Sequence, residues 1–294
     1  MRKPFYFLLL IALTNCVYAQ KLPDIQNISL WAPANIKADG KFQEWGAGFA
    51  AENKRTELQY TICNDEKNLY LALRATNTEV ATKILRGGIS FTINTEGKKK
   101  NNDAFVITYP IVVRNANGRN AGGRNVQVMG EGMQMSRGTR EGAVIGGNTQ
   151  GGVERTQAQR DSIQLALHKS QLAGVKEIRI SGFKSIADSA LSIYNEYGLK
   201  AAASFDDKGL FFCEFAVPLE LLDVKLDSAP EIAYQIKLNG MDIGVALGGQ
   251  VVFRAVAISG GSGGGGNNIR NNTSRQDMFA ATDFWGKYIF QKNK

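Results

Sequence analysis

The chain has one histidine, three cysteines and six prolines in 294 residues. One imidazole cannot build a histidine-rich metal centre. With the acids scattered along the chain, it cannot anchor a nucleophilic triad either. Three thiols are too few for a zinc ribbon or a cysteine-ligated iron–sulfur cluster. Neither Cys63 nor Cys213 lies in a Cys-x-x-Cys pair, so dithiol redox chemistry has no motif. The scarcity of proline excludes a proline-rich or collagen-like chain. Hydrophobic residues make up 44% of the chain and charged residues 21%, enough apolar surface for a sizeable core.

Long apolar runs are also lacking. The run at residues 5–13 has nine residues, about half of what a membrane-spanning helix needs. Arg2 and Lys3 precede it, and Val17-x-Ala19 follows, which is the pattern of a secretory signal peptide cleaved after Ala19. The competing reading, a lipoprotein box ending at Cys16, requires Asn15 where a small residue is usual. The expectation is an exported chain, periplasmic, outer-membrane-associated or secreted, with no transmembrane span after cleavage and a single domain over residues 20–294. Cys63 falls in the polar phase of its strand and Cys213 in an apolar phase, which predicts two free thiols, one of them buried.

What the sequence does have is period-two alternation. Leu58, Tyr60 and Ile62 alternate with polar residues, and Leu69, Leu71 and Leu73 follow a polar connection of hairpin length at residues 64–68. Ile89, Phe91 and Ile93 repeat the pattern, as do Ile232, Tyr234, Ile236 and Leu238 before Asn239-Gly240. Asp206-Asp207-Lys208-Gly209 marks a further hairpin. The apolar runs at 105–109 and 251–258 read as strands covered on both faces. Long helices do not alternate with the strands, so the prediction is an all-β, two-sheet antiparallel sandwich, jelly-roll-like. Short helices are expected at 79–86, at 156–172 and after Pro218.

Two glycine-rich stretches interrupt the pattern, with 11 glycines at residues 114–153 and six at 259–275. They read as flexible loop insertions. Residues 114–160 carry a net charge of +4 and residues 254–275 a net +3, all of the positive charge being arginine. Arg114, Arg119, Arg124, Arg137 and Arg140 are therefore candidates for gripping carboxylate or phosphate with their planar forks. The plainer reading is of solvated insertions kept soluble by charge. An RNA-binding role lacks its aromatic stacking motif, and an exported chain does not meet intracellular nucleic acid.

Asp39-Gly40-x-x-x-Glu44-Trp45, then Leu58-x-Tyr60-x-Ile62, then Asn64-Asp65-Glu66-Lys67-Asn68-Leu69-Tyr70 resemble the opening of DOMON-like sandwiches related to family 9 carbohydrate-binding modules. Gly209-Leu210-x-x-Cys213-Glu214-Phe215-Ala216-Val217-Pro218-Leu219 is similar to their late strand and proline-leucine corner. Thr282-Asp283-Phe284-Trp285-Gly286 is similar to the last strand of exported bacterial members. The resemblance implies a sandwich that binds a sugar, or in some relatives haem. Those relatives hold haem with methionine and histidine, whereas His168 reads as a solvated side chain on a surface helix, so no haem is expected. Structural calcium, which family members can carry, would have oxygens at Asn64-Asp65-Glu66 and Asp206-Asp207, although turns select these residues anyway.

Sugar binding by sandwiches rests on aromatic faces flanked by amides and carboxylates. Trp45 reads as a packing residue and Trp285, between Phe284 and Gly286, as a core plug, leaving Trp31, Tyr194 and Tyr197 as candidate ligand contacts. Gly261-x-Gly263-x-x-Gly266 matches a dinucleotide pattern, but polar residues follow where a helix is required. The expected function is that of a non-catalytic, exported carbohydrate-binding protein contacting a surface or environmental polysaccharide. The alternative is an envelope or matrix protein that holds polyanions, or docks to a protein partner, through its arginine loops.

Overall fold

The computed structural model of the chain describes residues 21–46, 48–112, 156–228, 231–240, 244–247, 250–253 and 278–292. In chain order the elements are β1 (Ala51–Asn53), β2 (Leu58–Asn64), β3 (Asn68–Ala75), α1 (Thr78–Gly87), β4 (Ile89–Asn94), β5 (Phe105–Tyr109), α2 (Gln157–Ala173) and β6 (Glu177–Ser181). They continue with β7 (Ala190–Ser192), β8 (Lys200–Phe205), β9 (Phe211–Pro218), β10 (Ile232–Leu238), β11 (Gly244–Leu247), β12 (Gln250–Phe253) and β13 (Thr282–Tyr288). A five-stranded antiparallel sheet, β1-β2-β3-β9-β8, packs on a six-stranded antiparallel sheet, β13-β10-β4-β5-β6-β7, and β11 pairs with β12 as a separate hairpin. The protein is an all-β sandwich with two helices among the described residues.

Alternation in the strands dictates this arrangement, because each strand must bury one face. Leu58, Tyr60 and Ile62 of β2 and Leu69, Leu71 and Leu73 of β3 point inward to meet Phe91 and Ile93 of β4 and Tyr234 and Ile236 of β10 in one core. Phe211, Cys213, Phe215 and Val217 of β9 complete it. The hydroxyls of Tyr60 and Tyr234 meet at 3.0 Å across the two sheets, so each buried phenol supplies the other's polar partner. The hairpin turns are held by the aspartates that the sequence placed there. Asp65 Oδ1 accepts from the Lys67 and Asn68 amides at 2.7 Å each, and Asp206 Oδ1 accepts from those of Lys208 and Leu210. Asn77 caps α1 through the Val80 amide at 2.8 Å, and Thr156 with Gln159 forms a capping box at the start of α2. The expected turn after Pro218 is a 3-10 helix, Leu219–Leu222.

The five-stranded sheet is buried on both faces. Residues 22–49 cross its outer side, where Trp45, Phe49, Cys63, Tyr70, Ala72, Phe212 and Ala216 form a second apolar cluster. The Arg74 guanidinium lies over the rings of Phe42 and Phe49, 5.4 and 5.2 Å from their centroids, and gives a hydrogen bond to Gln59 Oε1 at 2.6 Å.

Three expectations are corrected by this packing. Both cysteines are buried, Cys63 in the outer cluster and Cys213 in the main core. A polar phase does not mean solvent once a second layer covers the sheet. Strand 105–109 is not covered on both faces: Phe105, Ile107 and Tyr109 are buried, while Val106 and Thr108 are half-buried. Of the apolar run 251–258, residues 251–253 lie in β12 and the rest lies outside the described residues. Trp285 is not a core plug. It pairs with Gln235 in the β10–β13 ladder and faces outward, half-buried, while Phe284 and Tyr288 point in. The inward position between them belongs to Gly286, opposite Tyr234. A Cβ at residue 286 would lie 2.2 Å from Tyr234 Cζ, so only glycine leaves room for that ring.

Two outcomes follow from this core. Gly286→Ala forces the Tyr234 ring out of place and is expected to lower stability by about 1–3 kcal/mol, read as a shifted urea midpoint. The thiols sit on opposite faces of one sheet, and burial pushes the Cys63 thiol up to about 12 and the Cys213 thiol well above its usual range. The native chain from residue 20 onward should therefore be silent to a thiol-reactive dye and yield both thiols in denaturant.

Candidate functional site

The outer face of the six-stranded sheet is polar and presents its side chains in two rows set by strand register. Ladder partners place Asp283, Lys237, Ser90, Thr108 and Arg179 side by side across β13, β10, β4, β5 and β6. The next row holds Trp285, Gln235, Thr92, Val106 and Ser181, of which Gln235 and Thr92 are buried. Gln235 donates to Asp283 Oδ2 at 2.6 Å, fixing the carboxylate beside the indole, and Arg55 approaches the other oxygen at 3.9 Å. Ser90 and Thr108 share a hydrogen bond of 2.8 Å, and the Asn239 amide nitrogen donates to Ser90 Oγ at 3.0 Å. Together these give a half-exposed aromatic ring beside a lattice of hydroxyl, amide and charged groups.

Along the first row, at the end of the sheet where α1 runs into β4, lies a groove of about 590 Å3. Ser90, Thr108 and Asn239 form its polar floor, and Arg86, Arg179 and Lys237 stand around it with no carboxylate among the lining residues. The backbone is drawn tight here. Asn239 donates its amide to the Gly88 carbonyl at 3.0 Å, and a Cβ at Gly87 would come within 2.2 Å of the Asn239 carbonyl oxygen. Val112 and Gly240, where the chain leaves the described residues, and Phe279, near its return, stand on the rim. A hollow of about 720 Å3 between α1, α2 and the β8–β9 turn differs in kind. Its Glu79, Asp161 and Asp207 stand against Arg86 and Lys208, so charges of both signs meet there.

A third feature is Glu214 of β9, 1% exposed on the outer side of the five-stranded sheet. The Trp45 indole donates to its Oε1 at 2.5 Å and the Gly40 amide to its Oε2 at 2.6 Å. Small neighbours make this possible: Ala72 and Ala202 flank Glu214 in register, and Gly40, with φ of 82°, lies against the Ala203 backbone. Ser204 Oγ donates to the Gly40 carbonyl at 2.7 Å, and Glu44 Oε2 accepts from the Lys37 amide at 2.6 Å. Two donors favour the charged carboxylate, but burial disfavours it more, and Asp39 and Glu44 add like charge. The carboxyl is pushed up to about 7. It fastens the segment carrying Gly40 and Trp45 to the sheet.

The sequence-predicted contacts are dispersed. Trp31 is half-buried, with an isolated bridge to Asn64 at the end of β2. Tyr194 is 77% exposed beyond β7, and Tyr197 is half-buried against the main core. No ring contact joins the three among the described residues. Arg114, Arg119, Arg124, Arg137 and Arg140 lie outside the described residues. His168 is not fully solvated: its ring packs 5.5 Å from that of Phe205, and burial, with Arg86 nearby, lowers its pKa. Trp45 is buried, as its packing reading requires. Lys237, Arg179, Gln235 and Glu214 were missed. The polar phases Gln235–Lys237 and Ser90–Thr92 were visible in the alternation, but which strands become neighbours was not. Comparison with protein-family models, with curated proteins and with solved structures finds no match for this chain.

The Glu214 clamp makes a pH prediction. Between about pH 4.5 and about pH 7 the folded chain holds a proton on Glu214 that the unfolded chain has released. The contribution of this group to stability is therefore full below that window and falls as pH rises through it. Glu214→Gln keeps the shape and removes the titration. The stability advantage of wild type over the variant, from denaturation midpoints, should shrink from about pH 5 to about pH 8. An advantage that stays constant over that range would contradict the assignment.

Proposed function

We propose that the protein is a non-catalytic, exported carbohydrate-binding protein that contacts a surface or environmental polysaccharide through the outer face of its six-stranded sheet. The observation that carries this reading is Trp285, held half-exposed by its ladder register on a face otherwise built of hydroxyl, amide and charged side chains. An indole set this way offers an apolar plane to a pyranose ring, while Asp283, Ser90 and Thr108 supply donors and acceptors for hydroxyls within three strand spacings. The resemblance of residues 39–45, 58–70 and 209–219 to DOMON-like, family 9 carbohydrate-binding modules points the same way. Within its quoted stretches, Gly40 and Trp45 both donate to Glu214. Among the described residues, the carboxyl pushed towards neutrality, Glu214, serves this clamp beneath residues 39–45. Export is supported by Arg2, Lys3, the apolar run 5–13 and Val17-x-Ala19. Among the described residues no helix is long and apolar enough to cross a membrane.

The test is a panel of neutral and acidic polysaccharides presented to the chain from residue 20 onward. Trp285→Ala should weaken binding of the recognised polymers about tenfold, without loss of the folded circular-dichroism spectrum. Trp31→Ala, at the end of β2 in the other sheet, should leave binding unchanged. A Trp285→Ala protein that binds every polymer as wild type does would refute the reading.

A further inference from the structure

We infer that the polysaccharide is an acidic one, and that its carboxylate or sulfate groups are read by Lys237 and Arg179 at the two ends of the Ser90–Thr108 row. The inference rests on the proposed carbohydrate-binding face and specifies its ligand. Lys237 is half-buried and Arg179 exposed, and neither makes a hydrogen bond or ion pair with any residue described. Asp283, the neighbour of Lys237 in the row, gives its oxygens to Gln235 and Arg55 instead. A half-buried ammonium whose neighbouring carboxylate is already engaged gains when an anion completes its surroundings. A groove lined by Lys237 and Arg179, with no carboxylate among its described lining residues, supplies the place for that anion.

The spacing favours a polymer over a small anion. Lys237, Ser90, Thr108 and Arg179 lie on four consecutive strands, so the two cationic residues are three strand spacings apart, about 14 Å along the backbone. A chain bearing regularly repeated charges can meet both, with its hydroxyls over Ser90, Thr108 and Asn239 and a ring over Trp285 in the adjacent row. Guanidinium offers a two-pronged fit to carboxylate or sulfate at one end, and ammonium a point charge at the other. A nucleic acid fits less well: the face offers a single indole for stacking, and its cations stand beside Asp283 rather than in a continuous basic stripe.

The experiment measures binding of the chain from residue 20 onward to polygalacturonate, to its fully methyl-esterified form, to a sulfated polysaccharide and to single-stranded DNA, over a range of salt concentrations. Expected are binding of the carboxylated or sulfated polymer, at least about tenfold weaker binding of the esterified one, and a decline with salt. Lys237→Gln and Arg179→Gln should each weaken acidic-polymer binding about tenfold and flatten the salt dependence, whereas Lys237→Arg should retain it. The retained binding of Lys237→Arg separates loss of charge from loss of fold. If esterified and acidic forms bind equally and the glutamine variants match wild type, the acidic assignment is overturned while the carbohydrate reading stands. If no polysaccharide binds, both fall. DNA binding that alone depends on Lys237 and Arg179 also overturns the inference.

Discussion

The rest of this structure depends on the burial of the five-stranded sheet from both sides. One face meets the six-stranded sheet in the main core, and the other is covered by residues 22–49. That cover has little regular structure of its own, so its backbone groups need partners from the sheet. The Gly40 amide finds Glu214 and the Ala32 amide the Asn64 carbonyl, while the side chains of Trp45 and Gln26 are tied to Glu214 and to both backbone groups of Ile62. Glu214 is the costly member, a carboxylate removed from water, tolerated because both of its oxygens are occupied. Its neighbours are small for the same reason. Bulk at Ala72 or Ala202 would displace the indole that satisfies it.

This asymmetry decides where a ligand can be met. With one sheet wrapped on both sides, the polar face of the other is left with the aromatic ring and hydrogen-bonding groups that a polyhydroxylated partner needs. Its geometry comes from register rather than from loops. Trp285, Gln235 and Thr92 stand in a line because Gly286 lies opposite Tyr234, and that pairing is set by the Tyr60–Tyr234 contact in the core. The candidate ligand face is thus fastened to the centre of the fold, and its side chains project from strands instead of mobile segments.

Much of the fold was legible in the sequence. Alternation identified β2, β3, β4 and β10 and their inward residues, the apolar phase around Cys213 marked β9, Asp65 and Asp206 marked the tight turns, and residues 79–86 and 157–172 fell in helices. The candidate site was far less legible. Trp285 and Gly286 together looked apolar and terminal, which suits a plug, and only the opposing Tyr234 reveals that the glycine is the inward residue and the indole the outward one. Cys63 looked solvent-facing because period two tells which residues share a face, not what covers that face.

The sequence alone therefore determined which residues alternate, where the chain turns and which strands would have an apolar side. These are local consequences of side-chain direction and turn chemistry, complete within a few residues. Tertiary structure decided the rest. Strand order brought Lys237, Ser90, Thr108 and Arg179 into one row from four separate stretches of chain, and the packing of the N-terminal segment on the outer side of the five-stranded sheet joined Glu214 to Trp45 across 169 positions. Neither could be read locally, because pairing between distant strands is chosen by the burial of the whole core, and a side chain's neighbours exist only once that choice is made.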